Sequence, residues 1–483
     1  MKETLKQRAA KGLFWGALNS GTTQILNLVI GIFLGRLLTP SDYGIVGVLT
    51  IFTAIAADLQ SSGFTQSLVN LHRPTARDYN AVFTFNVAVS ATLYIILFLS
   101  APLISLFFHE PCLTSVSRFV FLGFFIASLS IAHGGYMTKN MMNREIAIIG
   151  AVALVVAGGV GITLAVLGYG YWALAWQQVA YIAVITAGRY ICVPQRITLT
   201  THIAPVIAMA PFAVKILVTK ILNTLSTNVL TLLFGRLYAM SQVGNYSQAY
   251  KWNTMASSLV SNTVGQIAQA VMVEAGDTAA EDPIVRQRRV FRKMMRFTAF
   301  LSMPLMFGLA IVADEFIILT IRDQWAGCVP LLRVLCLSGA FLPLYTMYQN
   351  LSISCRRSDI YMWLSIIQIV MLFVIVGATW RYGMLCMVSL YSAVMILWLA
   401  VWHACTGRLI DYTWRQMLAD IIPYTLSAAA VMALTYVVTI PIHSLWPLLL
   451  SRIAIAAFMY YVLMRAIRSE ILAECERFVM RKR

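Results

Sequence analysis

The chain has 483 residues, 60% of them hydrophobic and 11% charged, and its 36 Lys and Arg against 19 Asp and Glu give a net charge of +17. Soluble globular chains are about 45–50% apolar and about 25% charged, so this composition excludes a soluble enzyme, a large soluble domain and a disordered chain. Mean hydropathy is +0.77, and the apolar runs are helix-length, unlike the ~10-residue alternating strands of a membrane barrel; the expected fold class is an all-α polytopic membrane protein.

The first apolar stretch, 13–34, follows Lys2, Lys6, Arg8 and Lys11. It carries Asn19, Gln24 and Asn27 and lacks a small-residue cleavage site, so it predicts a transmembrane helix and not a signal peptide. A span needs about 20 mostly apolar residues. Thirteen further stretches qualify, at 44–69, 80–108, 116–138, 146–168, 171–193, 203–234, 243–272, 295–321, 328–353, 360–380, 383–405, 418–441 and 445–467. The longest loop, about 273–294, is acidic and then basic. From Pro283 it predicts a helix lying on the inner membrane surface. No loop can hold a nucleotide-binding domain, and no GxxxxGK[ST] occurs.

The basic residues orient the spans. With the N-terminus inside, outward segments hold Arg36, Arg118, Arg236, Arg322, Arg333 and Arg381, and the spans hold Lys215, Lys220, Lys251 and Arg452. All other Lys and Arg fall on one side, densest at Arg286–Arg296 and in the tail. The positive-inside rule therefore puts both termini in the cytoplasm. Basic residues scattered among spans serve topology and lipid contact, which argues against nucleic acid. The eight Cys lack CxxC spacing and the six His are isolated, so no metal or other cofactor is expected. Cys112 and Cys328 both fall in outward segments, and their pairing stays open at this point.

Residues 35–44 (GRLLTPSDYG) and 235–244 (GRLYAMSQVG) share five of ten positions at an offset of 200. The same offset pairs Leu59 with Leu259, Ser61 with Ser261 and Gln66 with Gln266. Six spans separate the copies, so both enter the membrane in the same orientation, as parallel repeats whose rocking alternates access to a cavity. The expected domains are an N-terminal lobe at 1–200, a C-terminal lobe at 201–406, and a helix pair with its tail at 407–483.

The spans that open the two lobes are unusually polar. Asn19, Thr23 and Asn27 form one helical stripe with Gln24 beside it; Lys220, Thr224, Thr227 and Thr231 form another, flanked by Lys215, Thr219, Asn223 and Ser226. For Ser, Thr and Asn, helix–helix packing is the competing explanation. A Lys at mid-bilayer costs a few kcal/mol, and Lys215 sits about twelve residues, or ~18 Å, into its helix. Either an ion pair with Asp58 or an anionic substrate group such as a phosphate accounts for such a cation. Lys251 lies nearer the outer side, as a snorkelling residue or a second station on the exit path. No acid/base pair or nucleophile constellation appears, so the chain is not expected to be an enzyme.

Residues 33–44 (FLGRLLTPSDYG) resemble the signature after the first helix of Wzx-type polysaccharide flippases, within the multidrug/oligosaccharidyl-lipid/polysaccharide exporter superfamily. Residues 167–174 (LGYGYWAL) and 243–251 (VGNYSQAYK) are similar to its glycine–aromatic turn and second-lobe counterpart, and the fourteen-span form suggests the WzxC-like branch. The resemblance implies a V-shaped pair of six-helix lobes in the bacterial inner membrane. It implies flipping of a polyprenyl-pyrophosphate-linked oligosaccharide for export of surface polysaccharide, coupled to a proton or sodium ion, with a polysaccharide polymerase and a chain-length regulator as partners. In that role Lys215, Lys220, Asn19, Gln24, Asn27, Asn223 and Lys251 are candidates for the substrate and Asp58 for the coupling ion. A MATE-like multidrug antiporter and a membrane enzyme of polysaccharide assembly are the rival readings. The first favours an acidic cavity and the second a catalytic cluster in a large outer loop.

Overall fold

The computed structural model describes the backbone except at 1–4, 62–63, 65–67, 69–70, 72–73, 195–196, 203, 277–281, 356 and 481–483. Side chains at 5–19, 59–61, 208, 211–216, 218–219, 222–223, 226–227, 263–276, 283, 358, 475 and 478–480 also lie outside the described residues. Within these limits the chain is helical, without strands, and forms two compact units, Met1–Gly244 and Asn245–Arg483.

The first unit contains α1 (Leu5–Leu37), α2 (Pro40–Ser61), α3 (Ala76–Phe108), α4 (Leu113–Ser128), α5 (Ile131–Lys139), α6 (Asn143–Val166), α7 (Tyr171–Cys192) and α8 (Ala204–Leu237). The TPSD stretch starts α2 for local reasons. Pro40 takes the first helical position, where no N–H is needed. Asp42 accepts from the backbone N–H of Thr39 (2.9 Å) and from its hydroxyl (2.7 Å). Thr75 and Asp78 start α3 in the same way, as a reciprocal capping box. The apolar ridge Ile30–Leu34–Leu38 buries against Leu154 and Ala165 of α6 and Ala173 and Leu174 of α7. α8 packs on α2 and α3.

The second unit holds α9 (Met240–Gly276, from Asn245 on), α10 (Pro283–Ile311), α11 (Ala313–Ile321), α12 (Cys328–Gly339), α13 (Leu342–Ser354), α14 (Ser358–Thr379), α15 (Met384–Thr406), α16 (Trp414–Thr439), α17 (Leu445–Ala466) and α18 (Glu470–Met480). α10 is its hub, touching α12, α13, α16 and α17.

Each predicted span coincides with one helix or one helix pair. Nine described helices are long and apolar enough to cross a membrane, and α4 with α5, bent by 45°, makes a tenth. Two details differ from expectation. The segment from Pro283 is no separate surface helix but the first turns of α10, because Asp282 caps it and no breaker follows before Pro304. The ninth span breaks at Val312 into α10 and α11.

The duplication reaches past its motif. The fourth span of each copy is broken, at Leu129–Ser130 and at Ala340–Phe341, and the third helix of each carries an interior proline, Pro102 and Pro304. Gly170 and Gly383, both at positive φ, precede the sixth helix of each copy. Inside the first unit the motif copies also meet. A Cβ on Gly44 would lie 2.7 Å from the Met240 carbonyl carbon, and one on Gly244 would lie 2.6 Å from that of Pro40. These are one contact seen from either copy, so an offset of 200 in sequence is a local two-fold in space.

Candidate functional site

In the first unit, two polar side chains meet where α2 packs on α8. The crossing is close because Gly235 on α8 faces Val48 of α2 and Phe108 of α3, leaving no room for a Cβ. Lower on the same pair, Asp58 of α2 is half-buried and accepts a hydrogen bond from the Thr224 hydroxyl of α8. Lys220 lies one turn before Thr224 and is also half-buried. One turn after it, the Asn228 amide donates to the Thr224 carbonyl at 3.0 Å. Lys220, Thr224 and Asn228 thus share one face at i, i+4 and i+8, and the structure joins Asp58 to that face. On α1, Gln24 and Asn27 are half-buried below the Ile30 ridge. The side chains of Asn19, Lys215 and Asn223 lie outside the described residues. Lys251, half-buried on α9, belongs to the second unit.

This arrangement combines a hydroxyl-bonded carboxylate with an ammonium group on apolar helices. Charges in such surroundings are expensive and in membranes mark ion or substrate sites. The ammonium can meet a phosphate; the carboxylate can take a proton or help bind a small cation. The serines of α9 behave differently: Ser257 and Ser258 donate to the carbonyls of Thr254 and Met255, at 3.2 and 2.9 Å, and so serve their own helix.

The motifs that carried the resemblance are structural. A Cβ on Gly170, in the glycine–aromatic turn, would lie 2.8 Å from Oδ1 of Asp42, the residue that caps α2. Two stretches far apart in sequence therefore form one joint, in which the φ of 54° at Gly170 favours glycine and the Asp42 carboxylate lies against it.

Three charged centres went unread in the sequence. Asp420 on α16 is fully buried and takes Arg292 through two bonds (2.8 and 3.0 Å), Arg296 Nε (2.6 Å) and the Tyr412 hydroxyl (3.0 Å). Burial, with Asp420 and Tyr348 nearby, raises the Tyr412 phenol above its ordinary range and keeps it a donor. Glu315 on α11 pairs with Arg452 on α17 at 2.6 Å, with 5% and 6% of the side chains exposed. Arg452 also donates to Thr439 (3.2 Å) and to the Ile311 carbonyl (3.1 Å). These two clamps fasten the last two spans to opposite ends of α10. In the first unit, Arg189 of α7 donates to Ser130 at 3.3 Å, at the break between α4 and α5, and Ser130 lies 3.2 Å from Thr186. The sequence clue was Arg452, a cation inside a span with no assigned acid. Asp420 and Glu315 sit close enough to span ends for topology to account for them. Cys112 and Cys328 are both free thiols.

A family model described as polysaccharide biosynthesis protein matches residues 33–330. The match takes in Asp58, Lys215, Lys220, Thr224 and Lys251 and leaves Gln24 and Asn27 before its start. The chain is 25% identical over 418 residues to the succinoglycan biosynthesis transport protein ExoT of Rhizobium meliloti (strain 1021), covering 85% of this chain and 80% of that one. It is 22% identical over 366 residues to the lipopolysaccharide biosynthesis protein WzxC of Escherichia coli (strain K12), covering 74% and 72%. Its fold is similar to that of the lipid II flippase MurJ in an inward closed conformation, with a TM-score of 0.77 at 11% identity over 95% of this chain and all of that one.

Proposed function

Because the chain belongs to the polysaccharide biosynthesis protein family, we propose that it flips a lipid-linked oligosaccharide of the polyprenyl-pyrophosphate type across the bacterial inner membrane by alternating access, for export of surface polysaccharide. The observation that carries this reading is the face on α8 that holds Lys220 and Thr224, with the Thr224 hydroxyl bonded to Asp58, inside the matched region. A cation held among apolar helices suits a pyrophosphate that must leave water to cross. In this reading Lys215 and Lys220 contact the pyrophosphate, and Asn19, Gln24, Asn27 and Asn223 bond the first sugars. Lys251 serves the exit path. Asp58 carries the coupling proton or sodium ion. Both termini are cytoplasmic, 1–200 and 201–406 are the moving lobes, and 407–483 is an added helix pair. A polymerase and a chain-length regulator receive the product. The transport name of ExoT and the flippase name of MurJ support the class of activity.

The test replaces Lys215 and Lys220 together by Ala and, separately, by Arg, in cells making equal amounts of protein. Surface polysaccharide is lost with Ala and largely kept with Arg. Normal polysaccharide in the Ala double variant removes the cations from the mechanism. A shorter polymer at normal export would instead favour an assembly enzyme.

A further inference from the structure

The α10 cations form more than a topology signal. Arg288, Arg289, Arg292, Lys293 and Arg296 line a cleft of ≈ 370 Å³ between α10, α16 and α18. Behind the cleft wall, the wholly buried Asp420 clamps Arg292 and Arg296 and fixes their position. The remaining carboxylates are different in kind. Glu470 bonds Arg296 at 2.7 Å and Glu474 bonds Lys293 at 2.8 Å, yet their side chains are 78% and 49% exposed. Exposed pairs of this sort contribute little and exchange readily. Among the described residues, the carboxylates that line the cleft beside these cations are Glu470 and Glu474, both displaceable and both on the terminal helix α18.

The cleft adjoins a second one. Arg296 and Glu470 also border a second recess of ≈ 150 Å³, lined by Ala419, Pro423, Tyr424, Met464 and Ile467. A basic cleft beside an apolar recess that shares Arg296 and Glu470 with it matches an amphiphile, with an anionic head and a hydrocarbon body. The position fits as well. The cations occupy the first turns of α10, just before its apolar run, and the headgroup zone is only about 5–7 Å deep on each side of the hydrocarbon.

We propose that this cleft binds the phosphate headgroup of an anionic membrane phospholipid, with Glu470 and Glu474 of α18 occupying the cations when the lipid is absent. The inference is independent of the proposed transport function and would stand if that reading failed. The charge of a topology signal needs no cleft, no apolar extension and no exchangeable acid; a lipid site uses all three.

The full-length protein in nanodiscs of phosphatidylcholine with a minor share of phosphatidylglycerol provides the test, read by native mass spectrometry of retained lipid. Phosphatidylglycerol is retained in preference to phosphatidylcholine. Arg289→Gln with Lys293→Gln, which leaves Asp420 and its clamp intact, weakens retention about fivefold for each cation removed. Glu470→Gln with Glu474→Gln strengthens it. Unchanged retention in the Arg289/Lys293 variant, or weaker retention in the Glu470/Glu474 variant, overturns the proposal. Inorganic pyrophosphate provides the second arm: if it displaces the lipid at low millimolar concentration and its own binding shows the same variant dependence, the site takes free anions and the lipid assignment fails.

Discussion

The buried pair Arg452–Glu315 gives a quantitative test of how α17 is held. Arg452 Nη1 lies 2.6 Å from Oε1 of Glu315, while Oε2 is buried without a partner among the described residues. Arg452→Met therefore strands a carboxylate, at a cost of about 3–5 kcal/mol. Glu315→Gln should fall near the lower end of that range, because the guanidinium keeps Thr439 and the Ile311 carbonyl. The double variant Arg452→Met/Glu315→Met leaves no buried charge and should lie within about 1 kcal/mol of the parent, since apolar replacements of buried pairs are often neutral or better. The second unit has 239 residues (483 − 245 + 1). At about 2–4 °C per kcal/mol for a body of that size, Arg452→Met lowers the midpoint by about 6–20 °C. Heating in detergent, followed by fluorescence-detected size exclusion, reads the midpoints of all four proteins under one protocol. A double variant as unstable as the worse single, or a loss under ~1 kcal/mol in Arg452→Met, would refute the argument that pairing holds this helix.

Gly44→Ala and Gly244→Ala each push a Cβ into backbone that cannot rotate away; overpacking of about 1–3 kcal/mol is expected in both, read as a reduced folded fraction after extraction, and one silent member would contradict the local two-fold. Asp420→Asn removes the charge beneath two guanidinium groups and should destabilise by about 3 kcal/mol or more, against about 1.5–3 for Tyr412→Phe, which loses one bond to a charged group. Because the Tyr412 phenol is raised above its ordinary range, its contribution is complete below the unfolded value of ~10 and is lost only as pH rises beyond it. The gap between parent and Tyr412→Phe should therefore be flat from about pH 6 to 9, and a gap that shrinks in that window counts against it. Thr224→Val keeps shape but deprives Asp58 of its donor; polysaccharide export at equal protein level should fall, while Thr224→Ser retains it.

Sequence by itself determined the helical class, where the described helices lie along the chain and the repeated motif. Each follows from local quantities: apolar length, turn chemistry such as Thr39–Asp42, and identity at one offset. It also singled out Lys220 and Asp58, since a charge within an apolar run is conspicuous without coordinates. Tertiary structure alone decided the partners. Asp58 meets Thr224 across 166 positions, and Glu315 meets Arg452 across 137. Hydropathy registers what a residue is, not which helix lies beside it, so Arg292, Arg296 and Asp420 looked like span-end charges until packing set both arginines on a buried carboxylate. The same holds for Gly44 and Gly244: their spacing announces duplication, but only the crossing of two backbones shows why neither position tolerates a side chain.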